Sequence, residues 1–115
     1  MRHLILKKAL FHSKVREQLQ YSPKEIQKGV GDVILKLQIG EKLSMPEARH
    51  MPSVSLGVEE LRIKCSDGAY RVFYYMKSSK GILVFHMFRK KTQKTPQYEI
   101  EIGRKRLKEM LYEEN

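Results

Sequence analysis

The side chains best equipped for chemistry in this chain are its cations. Arg62, Lys64, Arg71, Lys90 and Lys91 fall in a 33-residue window, 62–94, that holds nine basic residues and one acid, Asp67. The window therefore carries +8, against a formal net charge of +10 for all 115 residues. A solvated surface mixes both signs, so a single-sign concentration of this size points to an anion-binding face. Such a face either holds phosphates or stabilises the charge that develops on a phosphate during phosphodiester cleavage. RNA brings its own nucleophile, the 2′-hydroxyl. Cleaving it takes a proton acceptor, cations around the pentavalent phosphorus and a donor for the departing 5′-oxygen. Neither a metal nor another cofactor is expected. A two-metal site needs several converging carboxylates, whereas Asp67 sits alone in a turn and Glu59 and Glu60 stand by themselves before a strand.

Each candidate has an ordinary role to set beside the chemical one. Any one strand cation is most simply a solvated residue; the functional reading rests on three aligned cations followed by the run Arg89-Lys90-Lys91. Lys77, Arg89 and Lys94 extend the set as further RNA-phosphate contacts. His86 lies between Phe85 and Met87, where a buried, hydrogen-bonded histidine is the ordinary reading and proton transfer the alternative. Tyr70, Tyr74 and Tyr75 read as strand packing; Tyr98 follows the basic loop and is the one tyrosine assigned to stacking on RNA bases. Cys65, the sole cysteine, falls on an apolar face, excludes an intrachain disulfide and leaves no Cys-rich zinc site.

Composition bounds the rest. Hydrophobic residues make up 41% of the chain and ten residues are Tyr or Phe, which argues against disorder. The length suits one domain, 1–115, with a core of its own. No apolar run is long enough to span a bilayer. Lys7 and Lys8 interrupt the apolar stretch Leu4-Ile5-Leu6, so the N-terminus lacks the core of a signal peptide. With one free thiol, the cytoplasm is the expected compartment.

The elements that position the cations can be read from periodicity. Residues 3–11 are expected to form a first strand and Ser13–Gln20 a short helix. Ser22-Pro23-Lys24-Glu25 reads as a helix start, with Ser22 as N-cap, Pro23 in the first turn and Glu25 at the capping-box position. Ile26, Val30, Val33, Ile34 and Leu37 then share one helical face, and Gly40 is the stop. Gly29 and Gly31 weaken that helix unless close packing requires them. Residues 41–57 read as an ordered loop. From Val58 the period becomes two: Leu61, Ile63 and Cys65 point one way, Glu60, Arg62 and Lys64 the other. Ser66-Asp67-Gly68 is a turn, Tyr70–Met76 a strand, Lys77–Gly81 a second turn, and Ile82–Arg89 an interior strand apolar on both faces. Glu99–Tyr112 closes the chain as a helix with Ile100, Gly103, Leu107, Met110 and Leu111 inward. The expected architecture is α+β: two N-terminal helices packed on a small antiparallel sheet, a C-terminal helix, and the cations on the sheet's other face, with Arg71 opposite Arg62 if the hairpin register allows.

These residues, taken as a string, resemble the RelE/ParE toxin superfamily. The carriers are Gly57 to Ile63, Tyr70-Arg71-Val72-Phe73-Tyr74, Leu83 to Pro96 and Glu99-Ile100, so the likeness covers roughly the second half of the chain. The branch it is most similar to is the HigB-like, phage-derived toxins of type II toxin–antitoxin pairs. The resemblance implies a RelE-like α+β fold and a ribosome-dependent mRNA endoribonuclease that inhibits translation. Arg62 and Lys64 fall at the family's paired basic positions before the turn, Arg71 at the arginine of the next strand, and Lys90 or Lys91 at the basic position after the last strand. Tyr98 is the nearest match to the C-terminal tyrosine of some members. The implied partners are mRNA, the ribosome and a HigA-like helix-turn-helix antitoxin, with operator DNA reached only through that antitoxin and no membrane. Two alternatives share the charge: a ParE-like inhibitor of DNA gyrase, and a nucleic-acid-binding module without catalysis.

Overall fold

The computed structural model describes residues 5–112. In chain order the elements are β1 (Ala9–Phe11), α1 (Ser13–Gln20), α2 (Lys24–Gln38), β2 (Ala48–His50), β3 (Val58–Cys65), β4 (Gly68–Ser78), β5 (Gly81–Lys90) and α3 (Gln97–Tyr112). The five strands form one sheet in the order β1-β5-β4-β3-β2. Strands β2 to β5 pair antiparallel, whereas β1 runs parallel to β5, with Ala9 opposite Ile82 and Phe11 opposite Val84.

The α+β class matches the sequence reading, but the sheet is mixed rather than antiparallel. The mixed character comes from β1, which lies beside β5 in the same direction and leads directly into α1. The expected first strand shrinks to Ala9–Phe11; residues 3 and 4 of that expectation lie outside the described residues. The segment expected to be loop, 41–57, contains β2, which pairs with β3 through Ala48–Leu61, Arg49–Glu60 and His50–Glu59. The helices also divide differently. α1 and α2 cover one face, packing Val15, Ile26, Val30, Ile34 and Leu37 on Leu61, Val72, Tyr74 and Val84. α3 takes the other face, where Ile100 and Leu107 meet Phe73, Phe85 and Phe88. The face expected to be left to the cations is therefore half covered.

Local causes explain these elements. Helix α2 buries Ile26, Val30, Ile34 and Leu37, a stripe at helical spacing. It ends as expected at Gly40, whose φ is +95°. The Gly40 amide donates to Leu37 O and the Glu41 amide to Lys36 O, the paired bonds that close a helix through a left-handed residue. Its start differs from expectation. Pro23 is the N-cap, and no capping box forms. Ser22 Oγ donates instead to Gln18 O, closing α1, and Glu25 Oε1 accepts from Ser66 N and Oγ in the β3–β4 turn. Of the two helix glycines, Gly29 is the one pressed close: a Cβ there would lie 3.2 Å from Ile63 Cγ2, while Gly31 faces open space.

Strand β5 is apolar on both faces for a structural reason. The register with β4 pairs Phe73 with His86 and Tyr74 with Val84, leaving Phe85 as an extra residue. This bulge turns Phe85 and His86 toward the same side, so the α3 face receives two consecutive rings. Gly103 lets α3 approach them; a Cβ there would lie 2.8 Å from Phe73 Cδ2. Among the described residues no helix is long and apolar enough to cross a membrane.

Candidate active site

The β3–β4 hairpin sets the site. Its register places Arg62 directly opposite Arg71, Glu60 opposite Phe73 and Lys64 opposite Ala69. β5 adds Phe88 beside Arg71 and Lys90 beside Ala69, and β2 adds Arg49 beside Glu60. Because side chains alternate along each strand, Arg49, Glu60, Arg62, Arg71 and Lys90 all project from the α3 face. They gather at the end of that face that α3 leaves open. Arg62, Ala69, Arg71, Lys90, Lys91, Thr92 and Gln93 line an open pocket of about 480 Å³ there.

A single carboxylate organises these cations. Glu60 is fully buried, which is unusual for a charged group unless it is paired. Its Oε1 accepts from Arg49 Nε at 3.1 Å, and its Oε2 accepts from Thr95 Oγ1 at 2.9 Å. Arg71 Nε lies 3.5 Å from Oε1. That distance gives electrostatic attraction, but the alignment does not make a hydrogen bond, and Arg71 Nε has no hydrogen-bond partner. Arg71 Nη1 donates to its own neighbour, Tyr70 O, at 3.2 Å. Arg71, only 5% exposed as a residue, is thus held in place, its unpartnered Nε buried beside Glu60.

The electrostatics follow from this crowding. Four cations, Arg49, Arg62, Arg71 and Lys90, surround one anion, Glu60. Burial pushes the Lys90 ammonium below its ordinary range, and the charges of Arg71, Arg62 and Arg49 push it further, against the pull of Glu60. Burial does the same to Arg71, with Glu60 opposing and Arg62 and Arg49 adding to it. An arginine stays charged regardless; for Lys90 the meaning is a more readily released proton. The cluster is therefore short of negative charge, and its pocket is suited to a phosphate.

The expected site residues divide into those that converge and those that do not. Arg62, Arg71, Lys90 and Lys91 line the one pocket. Lys64 is exposed at its rim, across the hairpin from the pocket wall at Ala69. Tyr98 is 63% exposed in the first turn of α3 and lines a second pocket shared with Lys90, Lys91 and Thr92. Lys94 is exposed in the β5–α3 loop, its carbonyl held by Thr92 Oγ1. Arg89 stands opposite Tyr70 on the other face, its Nη2 donating to Asp67 O, and it borders the second pocket. Lys77 lies at the far end of β4, beside Gly57, six residues and about 20 Å along the strand from Arg71.

His86 is built into the packing between β5 and α3. It is 4% exposed and stacks on Phe88, with Phe73 tilted beside it. Arg106 Nη1, always a donor, lies 3.0 Å from its Nδ1, so Nδ1 accepts and the proton sits on Nε2, which donates to Glu99 Oε1 at 2.7 Å. Burial and then the Arg106 charge bring its pKa down to about 4. Among the residues that line the pocket of Arg62, Arg71 and Lys90, His86 has no place.

Three members of the cluster escape sequence reading: Arg49, Glu60 and Thr95. The signal for Glu60 was present, since it alternates in phase with Arg62, but a lone carboxylate reads as solvated. Arg49 gave no local signal, because its strand is three residues long. Among the described residues no group of three or more His, Cys, Asp or Glu side chains is placed to hold a metal ion.

Fold and site together define a small basic α+β protein with an anion pocket on an open sheet face. The family model described as phage-derived protein Gp49-like (DUF891) matches residues 17–108. The chain belongs to that family, a toxin-like phage-derived group within the RelE/HigB-like toxin superfamily. No curated protein and no solved structure matches it.

Proposed function

We propose that this chain, with residues 1–115 acting as one RelE-like domain, is the toxin of a type II toxin–antitoxin pair and a ribosome-dependent mRNA endoribonuclease of the HigB-like branch. The observation that carries the reading is the convergence of Arg62, Arg71 and Lys90 on one pocket around the buried Glu60. Membership of a toxin-like family supports it from a separate direction.

The chemistry follows from the charge. The 2′-hydroxyl gives its proton to solvent water as its oxygen attacks the adjacent phosphorus, and the bond to the 5′-oxygen breaks, leaving a 2′,3′-cyclic phosphate and a 5′-hydroxyl. Negative charge grows on the non-bridging oxygens, and preorganised cations stabilise that growth more than they stabilise the ground state. Arg71 is the best placed, because its guanidinium is already desolvated and fixed. Lys90, whose proton is loosened by its neighbours, is assigned as the donor to the departing 5′-oxygen. Lys64, Lys91 and Lys94 hold flanking phosphates, and the ribosome supplies mRNA in an extended conformation. A HigA-like antitoxin with an acidic surface would neutralise the patch in the cytoplasm.

Induced expression tests the proposal. The chain should arrest growth, and primer extension on cellular mRNA should reveal new 5′ ends. Arg71→Ala should abolish both while the circular dichroism spectrum stays that of the parent. A folded Arg71→Ala variant with full toxicity would overturn the assignment, and growth arrest with DNA damage but intact mRNA would favour a gyrase inhibitor.

A further inference from the structure

Beside the pocket lined by Arg62, Arg71 and Lys90 lies a second one of about 390 Å³. Its walls include Gln18 of α1, Phe88, Lys91, Pro96, Tyr98 and Glu99. It exists because β1 pairs with β5 only as far as Val84. Beyond that point the strand edge at Met87–Lys90 is free, and α1 and the start of α3 stand on either side of it. The two pockets share Lys90, Lys91 and Thr92, so one nucleotide can lie across both.

The lining mixes flat apolar surface with a few fixed polar groups, which suits a planar heterocycle. Tyr98 offers an exposed ring, and Phe88 and Pro96 offer apolar walls. Glu99 is 8% exposed, and His86 Nε2 occupies its Oε1. A carboxylate accepts hydrogen bonds and donates none. It therefore favours a base that presents an amino group over one that presents a carbonyl. We infer that this second pocket is a nucleobase subsite that holds the unpaired base next to the bound phosphate and prefers bases bearing an exocyclic amine. The inference rests on the nuclease reading for its biological meaning, but binding can be tested without cleavage.

Cytidine and uridine 5′-monophosphates are suitable probes, because they match in size and differ at the amino or carbonyl group of the base. Chemical-shift mapping on the full chain should show cytidine monophosphate perturbing Gln18, Lys91 and Tyr98 amides, and binding about fivefold or more tighter than uridine monophosphate. Tyr98→Ala should weaken both nucleotides alike, by about fivefold or more. Equal affinities for the two nucleotides would overturn the base preference. Shifts confined to Arg62, Ala69 and Arg71, which line the first pocket and not the second, would overturn the subsite itself. If cytidine monophosphate binds as described but mRNA stays intact on induction, the subsite stands and the nuclease reading falls.

Discussion

Replacing Glu60 by glutamine is the sharpest test of how the cation cluster is held. The substitution keeps shape and an acceptor oxygen but removes the charge. Arg49 is half exposed, with 39% of its side chain open, and can turn to water. Arg71 cannot: its side chain is 6% exposed, and Glu60 is the nearest anion, 3.5 Å from Nε. The result is a buried guanidinium without a counter-ion, beside Arg62 and Lys90. Breaking a buried pair from one side costs about 3–5 kcal/mol, and the surviving acceptor oxygen and the open pocket place this case near ~3 kcal/mol. For a chain of this size that is a fall in Tm of about 12 °C. Denaturant unfolding and calorimetry would both read it. If the cost comes from stranding Arg71, then Arg71→Met introduced into Glu60→Gln should recover part of the loss, whereas in the parent it should destabilise. A Glu60→Gln protein within about 0.5 kcal/mol of the parent, or strictly additive losses in the double variant, would refute the reasoning.

Four further outcomes follow from the same geometry. The depressed His86 pKa means that the unfolded chain takes up a proton near pH 6.5 while the folded chain resists until about 4; stability contributed by this group is present above pH 6.5 and lost as pH falls toward 4, by roughly 3 kcal/mol. His86→Gln should flatten that part of the pH–stability curve, and an unchanged slope would contradict a neutral buried ring. Gly103→Ala should destabilise by about 1–2 kcal/mol, because overpacking against the buried Phe73 ring outweighs the gain in helix propensity; a neutral or higher Tm would show that the ring yields. Lys90→Arg should keep RNA affinity within about threefold but raise the pH at which the cleavage rate begins to fall, since arginine holds its proton far more tightly; an unchanged pH limb would remove Lys90 from the donor role. Single-stranded RNA should bind with a log–log salt slope near −0.7 per phosphate contacted, and Arg62→Ala should reduce that slope by about one contact; an unaltered slope would place Arg62 outside the interface.

What was legible in the sequence is what alternation and turn chemistry fix locally. Ser66-Asp67-Gly68 gave a two-residue connection, and with that turn the opposition of Arg62 and Arg71 is a matter of counting. The stripe from Ile26 to Leu37 likewise needs no tertiary information. The failures came where a distant element decided the outcome. β2 is three residues that earn strand geometry only by pairing with β3, and Arg49 enters the site with it. β1 is defined by its pairing with the edge of β5, a fact about the sheet and not about residues 3–11. Ser22 and Glu25 had the spacing of a capping box, but the α1 end and the β3–β4 turn claimed their oxygens. For the site itself, charge counting points to the cations that line the pocket but not to the carboxylate among them. Lys77 lies at the far end of β4 and Arg89 opposite Tyr70, because a window of sequence does not tell which strand end or which face a cation occupies.

That omitted anion changes the meaning of the charge. Five cations on an open sheet would be a sticky surface, selective for nothing in particular. Here Glu60 is fully buried beneath them, and each of its two oxygens accepts a hydrogen bond from a neighbour, Arg49 and Thr95. It offsets part of the repulsion among Arg49, Arg62, Arg71 and Lys90, but one carboxylate cannot balance four cations, so a deficit of about three charges remains at the pocket mouth. Burial shields only Glu60 and Arg71 from solvent, so salt screens the partly exposed Arg49, Arg62 and Lys90 more strongly. On the proposed nuclease reading, a bound phosphate would restore part of the balance, and the dianionic phosphorane of cleavage would restore more. A cluster left electrostatically incomplete would then discriminate by charge between ground state and transition state, which a cluster neutralised by its own acids would not do.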